Sequence, residues 1–328
     1  MRKFWIMLLP AVLLFAVVGC SDDDDTEGPD QLTSLEQFTA VHDALIDYVS
    51  TDAPAIKAMS ADLFTEIVTD GDYTVLDFRQ TADYEAGHIE GAHDVSLGNL
   101  LTMLESRALP LDKPFLCVCY TGQSAGHGVI ALRALGYEAY SLKFGMCSWN
   151  STLAGGWNNN IGSDGAIAYT APYTTSTTYD WPEWDEDVTS EDAAVYARVD
   201  AMLQGGFKGK SYAADVAGNH DDFFILNYWG ENDYNGTGDA PGHLEGAIQF
   251  TPKASLGMDE MLQYLPSDGT DILVYCWTGQ TSSQMTAYLN MLGYDAYSMK
   301  FGVNNIWYDE LGGHKWSDPM ADYPLVTE

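Results

Sequence analysis

Apolar positions along the chain fall into two series that run in the same order. Apolar residues recur at helical spacing over 35–49 and again over 191–203. Short unbroken apolar runs follow at 74–76 and 115–118 in the first half, and at 223–226 and 272–275 in the second. Runs of that length, apolar at successive positions, predict strands covered on both faces, as in a parallel sheet. The later run of each half leads into a loop of small and polar residues. Beyond it, Val129, Ile130, Leu132 and Leu135, and then Met285, Tyr288, Leu289 and Leu292, return at a helical period. Gly136 and Gly293 close these helices, because glycine enters the left-handed terminal turn without steric cost. A last apolar run at 139–142 and 296–299 predicts one more strand per half. Strands alternating with helices predict an α/β fold of two domains, each a parallel sheet flanked by helices.

The halves are copies. Gly87-His88-Ile89-Glu90-Gly91-Ala92 returns as Gly242-His243-Leu244-Glu245-Gly246-Ala247. Cys119-Tyr120-Thr121-Gly122-Gln123-Ser124 returns as Cys276-Trp277-Thr278-Gly279-Gln280-Thr281, and the segment from Leu135 to Gly145 returns at 292–302. Such a period marks an internal duplication. Residues 151–188 between the copies are rich in Gly, Ser, Thr, Asn and aromatic residues without a clear period. They predict a connector wrapping over the domains, with Tyr169, Tyr173, Tyr179, Trp181 and Trp184 packed on a surface.

The amino terminus stands apart. Arg2 and Lys3 precede an apolar run at 4–18, too short for a bilayer span, which ends in Val17-Val18-Gly19-Cys20. This resembles a bacterial lipoprotein signal over residues 1–20, which implies acylation of Cys20. Ser21 follows, with no Asp there to signal inner-membrane retention, so the resemblance implies an outer-membrane lipoprotein facing the periplasm of a Gram-negative cell. Residues 21–34 read as an acidic tether containing four successive Asp.

The chain carries 48 acidic and 14 basic residues, a net charge of −34, and loss of Arg2 and Lys3 takes it to −36. That balance excludes nucleic acid as a partner. It also repels small anions at long range, so an anionic substrate must be held by local dipoles.

The cysteine loops supply such dipoles. A strand ending in Cys119 or Cys276, then five small or polar residues, then a helix, places the thiol beyond the carboxyl end of a parallel strand. There the helix N-terminus and successive loop amides face it. Both effects favour the reactive thiolate and would stabilise a persulfide anion. Candidate loop residues are Tyr120, Thr121, Gly122, Gln123, Ser124 and Ala125, and Trp277, Thr278, Gly279, Gln280, Thr281 and Ser282.

Here the chain resembles the rhodanese family of sulfurtransferases. The resemblance includes Asp77-Phe78-Arg79, the segment from Asp83 to Ala92, the Cys119 loop, and Lys143-Phe144-Gly145-Met146 with Trp149. Residues 35–150 and 189–328 are then two rhodanese-like domains. The family mechanism implies that the thiolate takes sulfane sulfur from a small anionic donor such as thiosulfate or polysulfide. A thiol, cyanide or protein nucleophile then removes it. No cofactor or metal is implied. Copy one keeps Asp77 and Arg79, whereas copy two has Asn227 and Trp229 and an insertion at 233–239, which puts ordinary activity of the second site in doubt.

Other residues carry less. Cys117 reads as a core residue and Cys147 as either a plain loop cysteine or a resolving thiol for Cys119. His88 and His243 read as structural, and His127 as a helix-surface residue. Asp233, Asn235 and Asp239 lack the spacing of a calcium loop. Two further function classes remain open: a non-enzymatic accessory lipoprotein docking on an outer-membrane or electron-transfer complex, and thiolate-based handling of selenium, tellurium or arsenic oxyanions.

Overall fold

The computed structural model describes residues 30–163, 166–184, 186–317 and 322–327. The signal-like segment, Cys20 and most of the acidic tether lie outside them. Among the described residues no helix is long and apolar enough to cross a membrane.

Each copy forms a five-stranded parallel sheet. The first contains β1 (Ile56–Lys57), β2 (Thr74–Asp77), β3 (His93–Asp94), β4 (Phe115–Val118) and β5 (Ala139–Leu142), in the order β1-β5-β4-β2-β3. The second contains β6 (Gly209–Lys210), β7 (Phe223–Asn227), β8 (Ile248–Gln249), β9 (Asp271–Tyr275) and β10 (Ala296–Met299), in the order β6-β10-β9-β7-β8. The central strands β4 and β9 precede the two cysteines. β4 is buried at every position, which explains its unbroken apolar run. Register is shared too: Leu76 faces Cys117, and Leu226 faces Val274. The two-residue edge strands had no sequence signature, because so short a segment shows no period.

The loop helices Ala125–Ala134 and Gln280–Met291 pack against each other between the sheets. With Ser34–Asp47 and Glu191–Gln204 they enclose one core drawn from both copies, including Phe38, Val129, Ile130, Val199, Met285 and Leu289. Gly126 permits the close crossing. A Cβ there would sit 2.8 Å from Ser283 Oγ and 3.3 Å from the Gln284 amide nitrogen.

The connector wraps as its aromatics predict, with Trp181 and Trp184 against Phe38 at 4.9 and 6.1 Å. Its reach was not legible. Tyr169 pairs with His243 of the second sheet unit through two 2.8 Å backbone bonds. Val326, from the tail after the second unit, pairs in the same way with His88 of the first at 3.0 Å. Trp307 Nε1 donates to the Ala166 carbonyl and Trp149 Nε1 to that of Pro324. Each unit is thus bridged by the segment that follows the other.

Candidate functional site

Cys119 leaves the carboxyl end of β4, and the chain turns through residues 120–124 into the helix at Ala125. The Ala125 amide donates to Cys119 Sγ at 3.4 Å. In the second copy the Ser282 amide donates to Cys276 Sγ at 3.3 Å. The thiols are nearly enclosed, each cysteine being 2% exposed, yet both face the loop amides. Among the described residues, no protein group meets the amides of Thr121, Gly122, Gln123 and Ser124, nor those of Thr278 and Gly279. These are the donors that an anionic sulfur needs. Tyr120 is exposed, and Thr121, Ser124, Trp277 and Thr281 are half-buried, so they form the rims.

Not every loop side chain faces the sulfur. Gln123 Nε2 donates to Thr121 Oγ1, and Gln280 Nε2 to Thr278 Oγ1, each at 3.0 Å. The carboxamide oxygens leave their own loops. Gln123 Oε1 accepts from the Phe301 amide and Gln280 Oε1 from that of Phe144. These two side chains brace one loop against the other. Ser282 contributes a hydroxyl 3.6 Å from Cys276 Sγ, where Ala125 offers only its amide.

A second loop backs each cysteine loop. Met146 and Cys147 amides donate to the carbonyls of Cys119 and Tyr120, and Val303 and Asn304 amides to those of Cys276 and Trp277. Gly145, at φ +58°, must be glycine, since a Cβ would lie 2.2 Å from the Cys119 carbonyl oxygen. Trp157, from the connector, donates Nε1 to the Thr121 carbonyl and stacks on Trp316 at 5.7 Å. Neither tryptophan was singled out in the sequence, because nothing local ties them to the cysteines.

All four described cysteines are free. Cys117 is the core residue expected, and burial pushes its thiol well above the ordinary range. Cys147 is fully buried, donates Sγ to the Leu153 carbonyl at 3.0 Å, and is pushed up to about 11 by burial. A sealed, protonated thiol fits a packing role, and the resolving role finds no support in this geometry.

Asp77 and Arg79 form a buried ion pair, with Nη2–Oδ2 at 2.7 Å, and Arg79 Nη2 also holds the Gly87 carbonyl at 2.7 Å. The pair ties the end of β2 to the Gly-His turn. In copy two Asn227 is fully buried and its side chain makes no hydrogen bond at ordinary distance, although the Tyr275 hydroxyl lies beside it. Trp229 fills the arginine's place.

His88 and His243 are structural, each stacked on a tyrosine at 3.8 and 3.7 Å with Nδ1 on that tyrosine's carbonyl. His127 differs from expectation. The second copy covers its helix face, so it is fully buried, with Nδ1 3.1 Å from Ser283 Oγ. Burial pushes it down to about 3, which keeps the imidazole neutral. In the insertion, Asp233 Oδ1 accepts from the Asp239 amide at 2.8 Å. Among the described residues no group of three potential metal-ligating side chains forms.

Comparison with known proteins agrees with this arrangement. The model of the rhodanese-like domain matches twice, over residues 60–152 and 215–309. The chain belongs to the rhodanese-like family. Its relatives include the thiosulfate sulfurtransferase GlpE of Pseudoalteromonas translucida, 30% identical over 101 residues, which are 30% of this chain and 94% of that protein. GlpE of Pseudomonas fluorescens is 37% identical over 79 residues, covering 24% and 71%. Among solved structures, a rhodanese-related protein from Thermoplasma volcanium is 28% identical, with a TM-score of 0.24, covering 27% of this chain and 84% of that one. A thiosulfate sulfurtransferase from Pseudomonas aeruginosa is 17% identical, with a TM-score of 0.31, covering 88% and 49%. Both of these GlpE proteins match over the length of one rhodanese domain, whereas this chain carries two.

Proposed function

We propose that this rhodanese-like protein is a sulfurtransferase that carries sulfane sulfur as a persulfide on Cys119, with Cys276 a second carrier. One observation supports this most: an amide already on each sulfur, beside further loop amides without partners. The Cys119 thiolate attacks the outer sulfur of thiosulfate. The new S–S bond forms as the bond to the sulfonate sulfur breaks, and sulfite leaves with the electron pair. The persulfide anion then rests among the loop amides. An acceptor thiol, cyanide or protein nucleophile attacks its outer sulfur and returns the Cys119 thiolate. Polysulfide serves as donor by the same step.

The lipobox-like residues around Cys20 support an anchored protein working at the periplasmic face of the outer membrane. Labelling by a fatty acid that is lost in Cys20→Ser would bear on that placement.

The activity is tested by thiocyanate formation from thiosulfate and cyanide. Replacing both loop cysteines by Ala is expected to lower kcat/KM by about a thousandfold, as removal of a nucleophile does. A doubly substituted Cys119→Ala, Cys276→Ala protein as active as the parent would overturn the reading.

A further inference from the structure

The insertion at 233–239 leads to a difference between the two sulfur sites. Beside Cys119, the Tyr120 ring lies 5.6 Å from the Arg79 guanidinium, and the Asp83 carboxylate lies beside its hydroxyl. Arg79 Nη1 is buried and has no hydrogen-bond partner among the described residues. Beside Cys276, Trp229 replaces the arginine and stacks on Trp277 at 4.5 Å. The imidazole of His314 stacks on the same indole, also at 4.5 Å.

The insertion and the tail hold His314 there. The Asp239 carbonyl accepts from the Gly312 amide at 2.7 Å, and the Asp239 carboxylate lies 4.0 Å from His314 Nε2. Asn304 Nδ2 donates to the His314 carbonyl at 3.0 Å. His314 takes φ +55°, a left-handed conformation that costs a non-glycine residue energy and persists only when its surroundings impose it. Two rings, Trp229 and His314, thus stack on the residue next to the second nucleophile, where the first copy sets a cation against Tyr120.

We propose that this wall sets the donor at the second loop: Cys276 takes sulfur from an organic persulfide, R–S–SH, and Cys119 from the thiosulfate dianion. The proposal rests on the sulfurtransferase reading. Thiosulfate and the departing sulfite are both dianions, which the positive charge of the Arg79 guanidinium beside Tyr120 favours. Asp77 offsets part of that charge, but the guanidinium lies against the Tyr120 ring. Trp229 supplies no cation. An organic persulfide carries at most a single charge on its sulfur, and divalent sulfur is favoured against aromatic rings. In the step, the Cys276 thiolate attacks the outer sulfur of R–S–SH. The new S–S bond forms, the bond from that sulfur to R–S breaks, and R–S⁻ leaves with the electron pair. Cys276–S–SH remains, and no oxidant is consumed.

The test is single-turnover loading of the full chain, followed by intact mass, in Cys119→Ala and Cys276→Ala with thiosulfate or glutathione persulfide. The ratio of persulfide to thiosulfate loading rates is expected to be about tenfold higher at Cys276 than at Cys119, equivalent to about 1.4 kcal/mol. In the Cys119→Ala background, His314→Ala and Trp277→Ala are each expected to lower that ratio. His314 is half exposed, so its removal leaves the core intact. Equal ratios at the two loops, or a ratio unmoved by both substitutions, would overturn this proposal alone. Failure of either cysteine to load from either donor would overturn the sulfurtransferase reading with it.

Discussion

Gln123 of the first cysteine loop accepts, through Oε1, a 2.8 Å hydrogen bond from the amide of Phe301 in the second copy. Gln280 returns the contact to Phe144 at 2.7 Å. Phe144 and Phe301 both sit at positive φ, 64° and 61°, which aims their amides across the interface. The loops are therefore built against one another, each closing around the other's carboxamide. Gln123→Ala is expected to cost about 1–3 kcal/mol, because it leaves the Phe301 amide unpaired in a buried interface. It is also expected to slow sulfur loading at Cys276, whose carbonyl is held by Val303 two residues beyond Phe301. Urea unfolding, and intact mass after glutathione persulfide treatment in the Cys119→Ala background, check both effects.

The backing loop gives a sharper stability prediction. Gly145→Ala forces a Cβ into the Cys119 carbonyl at a positive φ. A loss of about 3 kcal/mol or more is expected, through strain and a displaced loop. Gly302→Ala is expected to do the same in the second copy, where the Cβ would lie 2.3 Å from the Cys276 carbonyl oxygen. Thermal denaturation of the two variants against Gly91→Ala, where no atom lies within 4 Å of the added Cβ, separates collision from backbone strain alone.

The duplication, both central strands, the loop helices and the cysteine loops between them were legible because each depends on residues close in sequence. β4, and β9 after Asp271, are apolar because both faces are covered, and the Cys-x-Thr-Gly-Gln pattern marks its own loop. The meeting of the two loops was not legible. Gln123 lies in the same loop as its cysteine, yet its oxygen serves a residue 178 positions away. His127 was misplaced for the same reason, since its helix face looks ordinary until the second copy covers it. The crossing of Tyr169 and Val326 to opposite units likewise depends on tertiary packing rather than on any local pattern.

His127 makes acid stability a test of the interface. Its folded pKa lies near 3 and its unfolded value near 6.5, so the folded state binds fewer protons between them. The contribution of the neutral imidazole is complete above about pH 6.5 and is lost as pH falls towards 3. Burial pushes His93 and His243 in the same direction. Between pH 7 and 5, His127 alone is expected to account for a loss of about 2 kcal/mol. His127→Gln should flatten the dependence of the urea midpoint on pH over that range, whatever it does to stability at pH 7.

The tail offers a further check. Tyr323 stacks on Phe64 at 4.5 Å, its carbonyl accepts from Asn150 Nδ2, and the adjacent Pro324 carbonyl accepts from Trp149. Removing residues 322–328 is expected to expose Trp149, shift its fluorescence to longer wavelength and make the first unit sensitive to proteolysis. The second unit should be less affected, because its bridge comes from Tyr169.

The central claim is that the ring of amides beyond β4 holds a negatively charged sulfur on Cys119. A crystal structure of the protein after thiosulfate treatment tests this most directly. The expected result is one added sulfur bonded to Cys119 Sγ and within hydrogen-bond distance of amides among residues 121–125. An unmodified Cys119, in crystals where thiosulfate has reached the protein elsewhere, would contradict the account.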